Sequence, residues 1–326
     1  MNYDKNKSLI YYLEKVYKNN DGVLNLIEDD ISGGKILKER IDTIKSNPQA
    51  NTIQISGLRQ DTFNYFVENY ASQFEAIYFW KCPLVEDLSA LSKLKSIQYI
   101  LFYWNQRAIR LWDMSKNSSL KGVAIDDFTR IHELTDFASS ETIEEIHFGN
   151  KVWTKFVVES LSPLVHCKKL KFLAFNLKRI KDNDISYLEK TKELKSLHFN
   201  TNLFTTEQIA WLRAVRPDIE SSSLEPFRKL KNPIVDNREK TLDVIVNGKG
   251  KPLLNSDIDK IKLENTFLHL THWLKNIGVK KDLFETKNFR LISACCRENI
   301  KINSLQEIIF KYGTDYWIKV IIFLRR

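Results

Sequence analysis

The 326-residue sequence contains only four cysteines and no long apolar run. None of Cys82, Cys167, Cys295 and Cys296 lies in a Cys-x-x-Cys spacing, so they do not form a disulfide framework and suit a reducing compartment. The apolar runs fall short of the roughly 18 residues that indicate a transmembrane helix, and charges interrupt the apolar residues of the first segment. We therefore expect no membrane span, no signal peptide and a cytoplasmic location.

The charge is unevenly distributed. The formal net charge is +9, from 50 Lys and Arg against 41 Asp and Glu, and residues 225–326 contain 20 basic against 12 acidic side chains. Nearly all of the basic excess thus lies in the C-terminal hundred residues. Such a region is either a solvated lysine-rich surface or a contact for an acidic partner such as nucleic acid.

A spaced apolar signature, apolar-x-x-apolar-x-apolar, occurs seven times in the middle of the chain. Successive first members are 24, 23, 23, 23, 27 and 24 residues apart. We expect each signature to form one strand whose second and third apolar side chains, two residues apart, point inward. The seven triplets are Ala50/Ile53/Ile55, Phe74/Ile77/Phe79, Ile97/Ile100/Phe102, Leu120/Val123/Ile125, Ile143/Ile146/Phe148, Leu170/Leu173/Phe175 and Leu194/Leu197/Phe199.

This signature, with its period in the twenties, resembles that of leucine-rich repeat proteins, and the abundant Lys, Asn and Ile suggest a bacterial one. The resemblance implies an α/β solenoid that binds a partner. The family usually places Asn or Cys at the ninth position of each repeat. Here Cys82, Asn105 and Asn202 match, which predicts an irregular solenoid. The departures are Leu58, Phe128, Lys151 and Lys178.

The apolar residues between the strands recur at spacings of three and four, which predicts helices on the convex side. These stretches are Phe63/Phe66/Val67/Tyr70, Leu84/Leu88/Leu91/Leu94, Ile131/Leu134/Phe137, Phe156/Val157/Leu161/Leu164 and Ile209/Leu212/Val215. We expect the array to end near Pro217–Glu220, a stretch that could add one last short strand.

The flanking segments complete a three-part prediction: an N-terminal helical cap at 1–49, the solenoid at 50–223 and a small basic α+β domain at 224–326. A solenoid needs a cap over its first repeat, and helical spacing from Leu9 to Tyr17 and from Ile36 to Ile44 suggests two capping helices. In the last part, Asn247-Gly248 predicts a hairpin turn. Helices are expected over Ile258–Leu274, Leu283–Cys296 and Ser304–Leu324.

Strand alternation places the residues between the inward positions on the concave face. An exposed cluster of aromatic side chains with an acidic pair beside it would be typical of a protein-binding surface. The alternative is that the N-terminal or C-terminal domain covers these rings. The candidate partner-binding residues are Tyr78, Trp80, Tyr99, Leu101, Tyr103, Trp104, Asp126, Asp127 and His147.

Candidates for catalysis are few, and we expect no enzyme activity, metal or cofactor. His147 and His198 share a concave column two repeats apart, about 9–10 Å, without a carboxylate or cysteine in that column. The stretch 248–251 lacks the length and the following Ser or Thr of a P-loop. Bacterial ubiquitin ligases of the resembled family use a cysteine followed two residues later by an acid. Cys295 is followed at that spacing by Arg297, whereas Cys296 is followed by Glu298. The C-terminal region of about 100 residues is, however, much smaller than the catalytic domain of those enzymes. A protein partner on the concave face is the first functional hypothesis, and nucleic-acid association through the basic domain is the second.

Overall fold

The computed structural model describes residues 7–18, 22–151, 156–237, 239–250, 253–256 and 258–277. The α-helices are α1 (Leu9–Tyr17), α2 (Lys38–Asp42), α3 (Gln60–Asn69), α4 (Thr206–Val215) and α5 (Ile258–Ile277). The strands are β1 (Val23–Leu26), β2 (Thr52–Ile55), β3 (Ala76–Trp80), β4 (Tyr99–Asn105), β5 (Gly122–Phe128), β6 (Glu145–Gly149), β7 (Val157–Val158), β8 (Phe172–Asn176), β9 (Arg179–Ile180), β10 (Ser196–Phe199), β11 (Phe227–Val235), β12 (Thr241–Val246) and β13 (Leu253–Leu254).

Two compact units divide the described residues. The first lies within Met1–Leu203 and Asp218–Ser221, and the second within Phe204–Pro217 and Ser222–Arg326. Helix α4, expected as the convex layer of the last repeat, is therefore part of the second unit. The domain boundaries at residues 49 and 223 stay predictions.

A parallel sheet forms the concave side of the first unit, in the order β1-β2-β3-β4-β5-β6-β8-β10. All seven predicted strands are present. Equivalent positions of the repeat signature are paired between neighbouring strands, so the signature predicts the register. The second apolar position of every repeat aligns with that of its neighbour, from Ile53 opposite Ile77 to Leu173 opposite Leu197. Because every strand keeps the same register, the inward side chains form continuous columns.

The third apolar position builds an aromatic column inside the solenoid. Phe79 stacks on Phe102 at 4.6 Å between ring centroids, and Phe175 lies between Phe148 at 5.5 Å and Phe199 at 5.7 Å. All five rings are buried. Buried aromatic side chains contribute more apolar area than other residue types, so this column provides much of the core.

The convex layer differs from the predicted row of α-helices. Of the five predicted stretches, only the first and last form α-helices, α3 and α4. The other three contain 3-10 turns at Ser89–Lys93, Thr135–Ser139 and Ser162–His166, the last preceded by the short strand β7. Most of the apolar side chains are still buried as predicted, but Leu84 is exposed and Val157 and Val215 are half-buried.

Asparagine side chains satisfy the backbone between repeats, although fewer than the family pattern implies. Asn105 donates to the carbonyls of Cys82 and Val85 and accepts from the amides at 107 and 108. Asn117, which the signature did not mark, donates to the carbonyls of Leu91 and Leu94 in the convex layer. A buried asparagine elsewhere in the repeat can therefore satisfy backbone carbonyl groups where the ninth position is neither Asn nor Cys.

Both ends of the sheet carry additions to the seven repeats. Strand β1 pairs with β2, with Leu24 opposite Ile53, and was not predicted. At the other end Glu220 forms a single parallel bridge with Ser196, which is shorter than a strand but lies where one was anticipated.

The second unit contains an antiparallel sheet, β11-β12-β13, and the helices α4 and α5, which pack on each other. Helix α5 confirms the predicted helix, and the β12–β13 hairpin is present. Its connection comprises residues 247–252 and is longer than a two-residue Asn-Gly turn. Asn247, its first residue, is buried and donates to the carbonyls of Ser222 and Glu225. The helices predicted at Leu283–Cys296 and Ser304–Leu324 lie outside the described residues.

Left-handed backbone recurs at the same position of the first four repeats. The residues are Gly57 (φ 68°), Lys81 (φ 51°), Trp104 (φ 66°) and Asp127 (φ 56°). A bulky residue such as Trp104 rarely adopts this conformation. At Gly57 a side chain is also excluded by space, because a Cβ would lie 2.5 Å from the carbonyl oxygen of Gly33.

We predict that Gly57→Ala destabilises the first unit more than Gly22→Ala. Both glycines have positive φ, so each alanine costs about 1–2 kcal/mol in backbone strain. A Cβ at Gly22 meets only side-chain atoms at 3.4 Å or more, whereas at Gly57 it collides with backbone. Urea denaturation should give roughly 3 kcal/mol or more for Gly57→Ala. Equal losses for the two variants would contradict the close approach.

Candidate functional site

Helix α1 covers the concave face over its central strands. Leu9, Tyr12 and Val16 form a buried cluster with residues of β3, β4 and β5. The predicted solvent exposure of the aromatic patch is therefore wrong for Tyr78, Tyr99, Leu101 and Tyr103, all at most 6% exposed. These residues do lie on the concave face, as predicted, but the chain covers them with its own helix.

The apolar stripe of α1 explains why it docks. A nine-residue helix is marginal in water, and it needs tertiary contacts to persist. Ser8 caps it by accepting a hydrogen bond from the amide of Tyr11. Full burial of Leu9, Tyr12 and Val16 is worth roughly 1.5–3 kcal/mol for each side chain relative to exposure. The concave face gains equally, because its own rings leave water.

Polar side chains of the sheet fasten the start of α1. Glu145 accepts a hydrogen bond from the amide of Leu9 at 2.9 Å, and the hydroxyl of Tyr99 donates to the carbonyl of Lys7 at 2.6 Å. Glu145 is only 4% exposed, and burial raises its pKa to about 7. The carboxylate is thus an anion at a helix N-terminus, a favourable position electrostatically, but in a poorly solvated site.

Two further polar contacts follow along the helix. The hydroxyl of Tyr12 donates to Glu75 at 3.1 Å. The ammonium of Lys15 donates to the side chains of Asn51 at 2.9 Å and Thr52 at 3.3 Å, and burial lowers its pKa. Contacts of α1 and the residues just before it therefore extend from β2 to β6.

A rim of aromatic and basic side chains remains accessible beside α1. Trp80 is half-buried and stacks on Tyr103 at 4.5 Å, with the ammonium of Lys81 5.5 Å from the Trp80 ring centroid. Lys151 lies 5.4 Å from the ring centroid of Tyr103. Half-buried Trp104 packs against the same cluster. We call Trp80, Trp104, Lys81, Lys151 and the exposed Tyr17 the aromatic rim.

The predicted acidic pair separates into two roles. Asp126 accepts from Nε2 of His147 at 2.9 Å and lies 3.7 Å from the ammonium of Lys151. Asp127 is fully buried and accepts from the backbone amide of Lys151. Asp126 is only 8% exposed, so the exposure of both residues was predicted wrongly. Although burial acts to lower the pKa of Lys151, its hydrogen bond with Tyr17 and the nearby Asp126 raise it overall.

The central column of the concave face contains solvent-exposed side chains in its last strands, β6 to β10. His147 has 37% of its side chain exposed, and His198, two strands further on, is exposed and contacts Ser196 at 3.2 Å. Ala174 separates the two histidines in register, as expected. His147 contacts Asp126 and His198 contacts Ser196, so these contacts do not bring the two histidines to a common site.

A cavity of about 60 Å³ lies between α1 and the open end of the face. Its lining is mainly apolar and includes Leu13, Leu101, Ala124 and Phe172, with Asp126 and His147 as the polar members. Small-molecule sites usually measure about 300–1,000 Å³. This cavity is therefore too small for a typical ligand and is better understood as imperfect packing beneath α1.

Reactive groups and metal ligands are sparse in the described part of the chain. The thiols of Cys82 and Cys167 are buried, which raises the pKa of each to about 12 and leaves them protonated at neutral pH. The same residues contain no group of three or more His, Cys, Asp or Glu able to hold a metal ion. Within the described ranges, no helix has the length and apolarity to cross a bilayer. Cys295 and Cys296 lie outside those ranges.

The anchors of α1 were not among the residues predicted from the sequence. Lys15 and Glu145 become buried, and Glu75 half-buried, only when α1 meets the sheet, so nothing in the local sequence distinguishes them from surface charges. A signal was available, since the sequence predicts an amphipathic N-terminal helix and an apolar concave patch. The helix was assigned to the cap of the first repeat, and covering of the patch by the N-terminal domain was the alternative.

The register and the concave face together define a leucine-rich repeat solenoid whose inner surface is partly occupied by its own N-terminal helix. No protein-family model matches the sequence, and no curated protein matches it. Solved structures similar in backbone include an internalin (inlF) from Listeria monocytogenes, with 15% identity and a TM-score of 0.37 over 59% of this chain and 56% of that chain. Internalin C2 from the same organism has 16% identity and a TM-score of 0.37 over 57% of this chain and 73% of that chain.

The chain thus spans little more than half the length of the first of these structures. Likeness at this level concerns the backbone alone. The assignment of the fold rests on the register of this chain's own strands.

We predict that the stability of the first unit falls as pH rises through about 7, because of Glu145. Its folded pKa of about 7 lies above the ordinary 4.5. Between these values the folded chain binds a proton that the unfolded chain does not. The stabilisation is complete below about 4.5 and is lost above about 7, with a magnitude of up to about 3 kcal/mol.

Glu145→Gln keeps an acceptor for the Leu9 amide and cannot ionise, so it should remove this dependence. Urea denaturation at pH 5 and pH 8 measures the difference between variant and wild type, in which other titrating groups cancel. The control is Glu141→Gln, an exposed position in the same segment. A Glu145→Gln variant with the wild-type pH slope would show that this carboxyl does not titrate as described.

Proposed function

We propose that this chain is a protein-binding module that grips a partner on the concave side of its solenoid. The observation that carries the proposal is the occupied concave face, where the groove binds a polypeptide segment through a stripe of aromatic and aliphatic side chains with polar anchors around it. A surface that recognises one helix in this way has the chemistry to recognise another polypeptide.

The aromatic rim supports the same conclusion. Tryptophan and tyrosine are enriched among the residues that contribute most to binding at interfaces. Trp80 and Trp104 keep accessible area while α1 is docked, as does Tyr17 at the end of α1 itself. Cation–π contacts join Lys81 to the ring of Trp80 and Lys151 to the rings of Tyr17 and Tyr103. The partner therefore meets rings that lose little side-chain freedom on binding.

The role served by binding depends on the partner. Neutralisation of a toxin and regulation of a target are both compatible with a module of this kind, and identification of the partner decides between them. The described residues provide no feature that favours nucleic acid, and half of the basic side chains of 225–326 lie beyond residue 277. Nucleic-acid association stays a prediction.

The double variant Trp80→Ala/Trp104→Ala should lose the partner. Removal of a hot-spot aromatic typically costs 2 kcal/mol or more, so capture should fall at least about 30-fold. The measurement is affinity capture from the native organism with the full chain as bait, followed by mass spectrometry. Circular dichroism checks that the variant remains folded.

The matched control is Ile109→Ala, an apolar side chain that is 62% exposed between β4 and the 3-10 turn Met114–Lys116. It should capture the same protein as the wild type. If the tryptophan variant retains the protein at wild-type yield, the concave rim is not the binding surface.

A further inference from the structure

The concave groove holds α1 in the manner of a helix bound in a groove. Its anchors are Leu9, Tyr12 and Val16, at positions i, i+3 and i+7 of one helical face. The hydrogen bonds that fasten it involve side chains of the sheet, namely Glu145, Tyr99, Glu75, Asn51 and Thr52. This is a mode in which one amphipathic helix can replace another, because recognition depends on the spacing of a few side chains.

The fit of α1 to the groove is incomplete. The 60 Å³ cavity lies against Leu9, Ile10 and Leu13 on the helix side and against Leu101, Ala124 and Phe172 on the sheet side. Cavities in apolar contacts lose both transfer free energy and dispersion contacts. A helix with a larger apolar side chain at the position of Leu13 would fill this space.

Docking of α1 also removes two charged groups from water. Lys15 is 7% exposed and Glu145 is 4% exposed, and they contact different partners rather than each other. Desolvation of each charge opposes docking. A helix without a charge at the position of Lys15 would avoid one of these costs while keeping the apolar anchors.

We propose that α1 is an intramolecular competitor and that the protein partner enters the same groove as an amphipathic helix, displacing α1 through better filling of the cavity. The partner helix carries apolar side chains at i, i+3 and i+7 and a larger apolar side chain at i+4. This inference rests on the proposed function, since it specifies the partner of the same face.

Full-length chain with Leu9→Ala and Tyr12→Ala tests the competition, because it weakens α1 without altering the groove. The probe is a fluorescent, N-acetylated peptide of residues 7–18, together with a Leu13→Phe version and a scrambled version. By anisotropy, the opened chain should bind the native peptide saturably. The Leu13→Phe peptide should bind roughly tenfold more tightly, and the wild-type chain should bind both at least about tenfold more weakly.

A groove control uses Leu101→Lys in the opened chain. Leu101 lines the cavity and is 3% exposed, so a lysine there should abolish peptide binding. Unsaturable binding, or equal binding of the scrambled peptide, overturns the proposal. Equal affinity of wild-type and opened chains would show that α1 does not compete. Dimers of the opened chain by light scattering would assign the groove to a second copy instead of a foreign helix.

Hydrogen exchange on the wild-type chain tests displacement without any variant. Amides of α1 should exchange by local opening, faster than those of β4 and β5. Exchange of α1 at the rate of these strands would overturn the proposal. The experiments also distinguish the proposed function from the proposed competition by α1. Peptide binding together with unchanged capture by the Trp80→Ala/Trp104→Ala variant contradicts only the proposed function. Loss of capture in that variant without peptide binding contradicts only the competition by α1.

Discussion

The common register of the parallel strands is the constraint on which the rest of the structure depends. Each repeat contributes an aliphatic residue at its second inward position and a phenylalanine or an isoleucine at its third, and both columns remain continuous from β2 to β10. A shift by one residue in any strand would turn its inward side chains to the concave face. The same register decides which residues share that face, so the core and the candidate binding surface are fixed by one alignment.

The concave face differs from the inside of the solenoid because its composition changes along the sheet. From β3 to β5 it is apolar and aromatic, and α1 covers it. From β6 onwards it carries His147, Ala174 and His198, of which the two histidines are accessible while Ala174 is buried. The boundary between these regions contains the Asp126–His147 pair and the cavity. A surface with a covered apolar part and an open polar part offers a partner both hot-spot area and solvated contacts.

Much of the fold could be predicted because the repeat signature is a physical statement about which side chains face inward. Seven strands, α3, α4 and α5 followed from periodicity. The 3-10 turns of the convex layer did not, since three- and four-residue spacings suit both helix types when only one turn is formed. Strand β1 was missed because it is four residues long and has no complete signature.

The site was predictable in part. The alternation rule placed Tyr78, Tyr99, Leu101 and Tyr103 correctly on the concave side, but exposure depends on what else the chain places there. That outcome is tertiary: Lys15 becomes a buried anchor only beside Asn51, and Glu145 only beside the start of a helix 136 residues earlier. Composition and local spacing do not encode contacts at that separation.

The contacts of α1 with strands far away in sequence have a consequence for how the chain folds. In a solenoid each repeat contacts mainly its neighbours, and such arrays can fold repeat by repeat. Helix α1 precedes the array, yet its docking surface is complete only when β6 has formed. During synthesis the apolar stripe of α1 therefore remains exposed while more than a hundred further residues are made. Folding intermediates with exposed apolar surface are prone to aggregate. Once docked, α1 contacts five strands, so a helix that is synthesised first is stabilised only after β6 has formed.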